Sequence, residues 1–168
     1  MKQLQVDEYV QFATARAGHL YRSACLLSGG DTHLAEDLVQ DTLGRIYVHW
    51  SKVSAAENPA AYAQTVLVRS FLGHKRRRSS GERPAERIPE IVSSDDDPTM
   101  RVALLGALAR LSAQDRAVLV LRYWEDHSAE ETAAVLQTSA GVVRTRSSRA
   151  LGRLRALLGG GLGDFVQS

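Results

Sequence analysis

The sequence is poor in what disulfide scaffolds, sheets, membrane spans and metal sites require. Cys25 is the only cysteine in 168 residues, so no intrachain disulfide can form. Flanked by Ala24, Leu26 and Leu27, it reads as a core filler rather than a redox thiol. Aromatic residues make up only 6%, and no segment alternates in the manner of a strand. No run approaches the roughly 18 consecutive apolar residues needed to cross a bilayer. Met1-Lys2-Gln3-Leu4 opens no apolar stretch of the secretory kind. The five histidines (His19, His33, His49, His74, His127) show no metal-ligand spacing. No glycine-rich phosphate loop follows a strand, and no Cys/His or Ser/His pairing marks a nucleophile. These absences argue against an enzyme, a metal or a bound cofactor. They predict a soluble, cytoplasmic protein without membrane insertion.

What is abundant is Ala, Leu, Arg and Val, a composition that favours helices because Ala, Leu and Arg lose little freedom there. The net charge of +2 conceals three blocks. Residues 1–78 carry ten basic and seven acidic side chains, residues 79–98 two and six, and residues 99–168 nine and six. Two basic blocks joined by an acidic connector point to a polyanionic partner. The connector contains Pro84, Pro89 and Pro98, the breaker Ser79-Ser80-Gly81 and the run Ser93-Ser94-Asp95-Asp96-Asp97, and it loses apolar periodicity. The expectation is an all-α protein of two small helical domains, 1–78 and 99–158, joined by an acidic, proline-containing linker, 79–98. A glycine-rich tail, 159–168, follows.

Upstream, three main helices are predicted. The first runs from about Val6 to Leu27 and is stopped by Gly29-Gly30. The second, about His33 to Trp50, is capped by Asp31 or Thr32 and carries the stripe Ala35, Leu38, Val39, Thr42, Ile46 and Trp50. The place of Trp50 on that stripe favours burial over base stacking. The third opens at Asn58-Pro59, with Asn as cap and Pro at the first helical position, and reaches about Arg77. Downstream, a helix covers Met100 to Leu111. A cap at Ser112 opens another that reaches Trp124. Ser128-Ala129-Glu130-Glu131 forms a capping box for a short helix ending near Leu136. Ser139 caps the last helix, Ala140 to Leu158.

Residues Ser128 to Leu154 have helix-turn-helix spacing. Ala129, Ala133 and Leu136 face inward, the turn is Gln137-Thr138-Ser139, and the second helix buries Val143, Ser147, Ala150, Leu151 and Leu154. Arg144, Arg146, Arg149, Arg153 and Arg155 stand on that helix without an acid among them. Unneutralised guanidiniums suit phosphates and guanine edges. Arg144, Thr145 and Ser148 are placed for base readout, and Arg149 and Arg153 for phosphates. A second basic face lies on the third helix, with Thr65, Arg69 and Arg76 at helical spacing and Lys75-Arg76-Arg77-Arg78 at its end. The second helix presents the opposite chemistry outward: Asp37, Gln40, Asp41 and Gly44. Acids repel nucleic acid, so that surface suits a protein partner.

These residues resemble a known family. Ala35-Glu36-Asp37-Leu38-Val39-Gln40-Asp41-Thr42, then Trp50 and Asn58-Pro59-Ala60-Ala61-Tyr62, look like region 2 of the extracytoplasmic-function (ECF) RNA polymerase sigma factors. Leu119-Val120-Leu121-Arg122-Tyr123, the box at Ser128 and Ser147-Ser148-Arg149-Ala150-Leu151 look like region 4. The wording is nearest the actinobacterial SigE-type subgroup. The resemblance implies promoter-directed transcription initiation on core RNA polymerase. Asp37, Leu38, Val39, Gln40 and Asp41 would dock on the β′ clamp helices, with further contact to the β subunit. Asn58, Thr65, Arg69, Lys75 and Arg76 would engage the −10 element. Ser139, Arg144, Thr145, Arg146, Ser148, Arg149 and Arg153 would read the −35 element. The linker would thread toward the polymerase cleft, an anti-sigma protein is an expected further partner, and the holoenzyme would associate with the nucleoid. Departures are Gln137, where the family often has Gly, and Val142, Arg144 and Thr145, where Thr, Lys and Ser are common. The rival reading is a stand-alone helix-turn-helix regulator that binds its operator without polymerase.

Overall fold

The computed structural model describes residues 2–79 and 98–159. The linker from Ser80 to Asp97 and the tail from Gly160 lie outside the described residues. Within them the fold is all-α: α1 (Gln3–Leu27), α2 (Thr32–Val48), α3 (Trp50–Ser54), α4 (Pro59–Ser79), α5 (Pro98–Ala109), α6 (Ala113–Leu119), α7 (Ala129–Leu136) and α8 (Ala140–Leu157). A five-residue π-helical turn, Val120–Trp124, continues α6.

Local chemistry explains most boundaries. Asp31 accepts from the Leu34 N–H at 3.1 Å, so Asp31 rather than Thr32 caps α2. Asn58 accepts from the Ala61 N–H at 3.1 Å and opens α4 with Pro59 as its first residue. Ser128 and Glu131 complete a reciprocal capping box on α7, both bonds at 2.9 Å. Gly29 ends α1 for two reasons: its φ is +64°, and a Cβ there would lie 2.7 Å from the Ala109 Cα. The second helix is shorter than its apolar stripe suggests. It stops at Val48, His49 leaves helical geometry (φ −107°, ψ 26°), and Trp50 starts a separate turn. That break lets Trp50 swing into the core, edge-on to Tyr9 at 5.7 Å and beside Phe12 at 5.3 Å.

The upstream bundle packs α1, α2 and α4 around Leu20, Leu27, Ile46, Leu67 and Phe71. Downstream, α5, α6 and α8 enclose Leu108, Leu111, Leu119, Ala150 and Leu154, while α7 meets α8 through Ala129, Ala133 and Val143. The halves do not hang apart on the linker. Ala117, Val120, Leu121 and Val135 from downstream are buried in the same core as Leu20 and Phe71. Polar contacts reinforce the junction. Glu125 accepts from the Ser23 hydroxyl at 2.8 Å and meets His19 Nε2 at 2.7 Å, and the Trp124 indole N–H donates to Ser23 at 3.1 Å. Arg116 of α6 lies over the Phe71 ring at 5.4 Å, and burial pulls its guanidinium down to about 10.

Candidate nucleic-acid and polymerase interfaces

The recognition helix is set by one residue in an uncommon conformation. Gln137 adopts left-handed φ 57°, ψ 49°, and the Thr138 N–H closes α7 by donating to the Ala133 carbonyl at 3.0 Å. Ser139 then caps α8 by accepting from the Val142 N–H at 3.2 Å, so its hydroxyl is engaged in the turn. Val143, Ser147, Ala150 and Leu154 face inward as the spacing required. Arg144, Thr145, Ser148, Arg149 and Arg153 are exposed, and Arg146 is half-buried.

The arginines are not uniformly unneutralised; acids from other helices reach them. Arg144 pairs with Glu130 of α7. The Glu130 carboxyl is held below its usual range, first by its own backbone N–H and then by Arg144. Asp115 of α6 has a side chain only 4% exposed and accepts from Arg153 Nη1 at 2.5 Å and from Arg146 Nη1 at 3.4 Å. Arg153, expected on phosphate, is therefore held as a tie between α6 and α8. Among the described residues Arg149 and Arg155 carry no ion pair. A groove of about 400 Å³ runs over this surface, lined by Gly141, Val142, Thr145, Arg146, Arg149 and Arg153 with Asp115 at its floor. Neither acid carries a local sequence signal, because the contacts span 14 to 38 residues.

Along α4 the expected residues are in different states. Asn58 is exposed at the N-cap. The half-buried Thr65 donates its hydroxyl to the Ala61 carbonyl at 3.1 Å. Lys75 is half-buried and Arg76 exposed near the helix end. Arg69 points across the junction between the halves. Its Nε donates to the Val135 carbonyl at 3.0 Å and its Nη2 to the Ala134 carbonyl at 3.3 Å. Those carbonyls belong to the last turn of α7, where a cation satisfies both the open acceptors and the dipole.

On α2, Asp37, Gln40 and Asp41 are exposed and Val39 is half-buried, forming one polar surface. Asp41 also accepts from Arg45 Nε at 3.1 Å one turn on. Leu38 does not belong to that surface. It is 4% exposed, because it shares the inward face with Ala35, Thr42 and Ile46. It packs beneath that surface. No helix among the described residues is long and apolar enough to cross a membrane.

Comparison with known proteins accounts for both halves. Residues 6–81 match the family described as Sigma-70 region 2, and residues 107–156 match Sigma-70, region 4. The chain is 38% identical to an RNA polymerase sigma-E factor of Streptomyces coelicolor, over 90% of this chain and 86% of that protein. It is 31% identical to the ECF RNA polymerase sigma factor SigL of Mycobacterium tuberculosis, over 84% of each chain. Among solved structures it resembles the sigma factor RpoE from Bartonella quintana, crystallised with the anti-sigma factor NepR. That match has a TM-score of 0.69 and 28% identity, covering 90% of this chain and 96% of that one. With both regions present in order and relatives matched along most of their length, the chain belongs to the RNA polymerase sigma factors of the sigma-70 family, in their extracytoplasmic-function group.

Proposed function

We propose that this sigma factor binds core RNA polymerase through α2 and divides promoter recognition between α4 and α8. Residues 1–78 act as region 2 and 99–158 as region 4, with 79–98 as the connector. The observation that carries this division is charge placement: exposed cations stand on α4 and α8, while the exposed face of α2 is acidic. Phosphate attracts the first two surfaces and repels the third. Asp37, Val39, Gln40 and Asp41 dock on the polymerase clamp, with Leu38 beneath them. On α8, Arg144, Thr145, Arg146, Ser148 and Arg149 face the −35 duplex, with Ser139 holding the start of the helix and Arg153 bracing it. Asn58, Thr65, Arg69, Lys75 and Arg76 engage the −10 element.

The protein catalyses no bond change; strand opening draws on binding energy. It works in the cytoplasm and joins the nucleoid as holoenzyme. An anti-sigma protein is a fitting partner, since RpoE, which it resembles along both halves, was solved with one. A stand-alone regulator is not favoured, because the region 2 match occupies the part of the chain that an effector domain would need.

Run-off transcription with purified core enzyme tests the reading. Initiation at a discrete set of promoters should appear only when this chain is added. Asp41→Arg should abolish capture of core enzyme while leaving the helical fold intact by circular dichroism. Undiminished capture would exclude the α2 face as the docking surface.

A further inference from the structure

We infer that Asp115 is a positioning residue that decides which recognition-helix arginines are available to DNA, retaining Arg153 as a brace and releasing Arg146. This rests on the reading of α8 as the −35 helix.

A carboxylate at the floor of a phosphate-facing groove is at first sight misplaced, since it repels the ligand. Its side chain is 4% exposed, so it cannot fall back on water when its partners leave. Removing both cations would strand a buried charge, the costliest way to break such a pair. Arg146 and Arg153 therefore cannot both turn to DNA. The contacts are unequal: Arg153 sits 2.5 Å from Oδ2, and Arg146 sits 3.4 Å from Oδ1. The shorter bond persists and the longer one yields. Arg146 also lies beside Val142 and Thr145 at the early end of α8, where a recognition helix meets base edges, whereas Arg153 lies two turns further on. A brace alone would need one arginine, because Leu119, Ala150 and Leu154 already pack α6 against α8. The second contact makes Asp115 a selector.

Two variants give distinguishable effects, measured with the full chain in holoenzyme on matched and −35-substituted promoters across a salt series. Asp115→Asn keeps side-chain volume, and the Asp115 backbone N–H still donates to Ser112. It frees Arg153 for phosphate. The slope of log affinity against log salt should steepen by ~0.9, the worth of one phosphate contact. Preference for the matched −35 sequence should fall by about tenfold as unspecific binding grows. Arg153→Met leaves Arg146 as the only partner of the buried carboxylate and ties it down. Preference should then fall with the slope unchanged, because Arg146 meets base edges rather than phosphate. Asp115→Glu, which keeps the charge, should stay near wild type. A lowered Tm in both variants with unchanged slope and preference would reduce Asp115 to a structural tie and overturn the proposal. A wild-type holoenzyme indifferent to −35 substitutions would overturn the helix assignment, and the positioning role with it.

Discussion

Arg144 and Arg149 stand on the same helix, yet their surroundings predict different consequences of removing them. Arg144 is paired with Glu130, so Arg144→Ala would both remove the proposed base contact and leave Glu130 without its cation. It should cost roughly 1–3 kcal/mol of promoter affinity and relax selection at one base position. Arg149 is exposed and carries no ion pair among the described residues. Arg149→Ala should weaken every DNA sequence alike and reduce the salt slope by ~0.9. Binding isotherms on a −35 substitution panel at several salt concentrations separate the two. Base-selective loss from Arg149→Ala would reverse the assignment. Arg116 is a different case. It is buried against Phe71 with its Nε lacking a hydrogen-bond partner. Burial pulls the guanidinium down to about 10, still far enough above neutral pH to keep it charged, and the ring contact partly offsets the desolvation.

Helices and turns were the most legible feature, because caps and stops act locally. Asp31, Asn58, Ser112, Ser128 and Ser139 all accept a backbone N–H at the helix starts that the sequence marks. Two departures have tertiary causes. Trp50 leaves α2 and packs its ring against Tyr9 and Phe12 of α1, contacts that the stripe of α2 alone does not specify. The end of α6 widens into a π turn, closed by Glu125 N–H donating to the Val120 carbonyl at 2.9 Å, which brings Trp124 and Glu125 to α1. Gln137 is the strained element of the helix-turn-helix, held at φ 57° where a Cβ costs about 1–2 kcal/mol. Gln137→Gly should remove that strain, less part of the gain to the entropy of the unfolded chain, for a net stabilisation of ~0.5–1 kcal/mol. Thermal unfolding checks it; a lower Tm would mean that the Gln137 side chain contributes contacts that outweigh the strain.

The molecule as a whole is closed. Arg69, proposed to engage the −10 element, donates to the last turn of α7, so the arrangement seen here withholds it from DNA. Contact of DNA with Arg69 would require that tie between the halves to open. Glu125→Lys tests this away from either DNA-facing surface, by replacing the acceptor for Ser23 and the partner of His19 with a cation. The radius of gyration from small-angle scattering should rise, and affinity for a single-stranded −10 oligonucleotide should increase several-fold. Expansion without tighter binding would show that closure does not mask α4. An unchanged radius would show that the shared apolar core holds the halves without this contact.

Composition, caps, turn residues and apolar periodicity were enough to establish an all-α chain, its helix order, the helix-turn-helix and the three charged surfaces, since each depends on neighbours within about one helical turn. The partners of those charges were beyond that range. Asp115 reaches Arg153 across 38 residues, Arg69 reaches Val135 across 66, and Glu125 reaches His19 across 106. Periodicity says which way a side chain faces but not what it meets. Only tertiary packing, within the downstream half for the α8 arginines and between the halves for Arg69, decides which of these cations meet a partner.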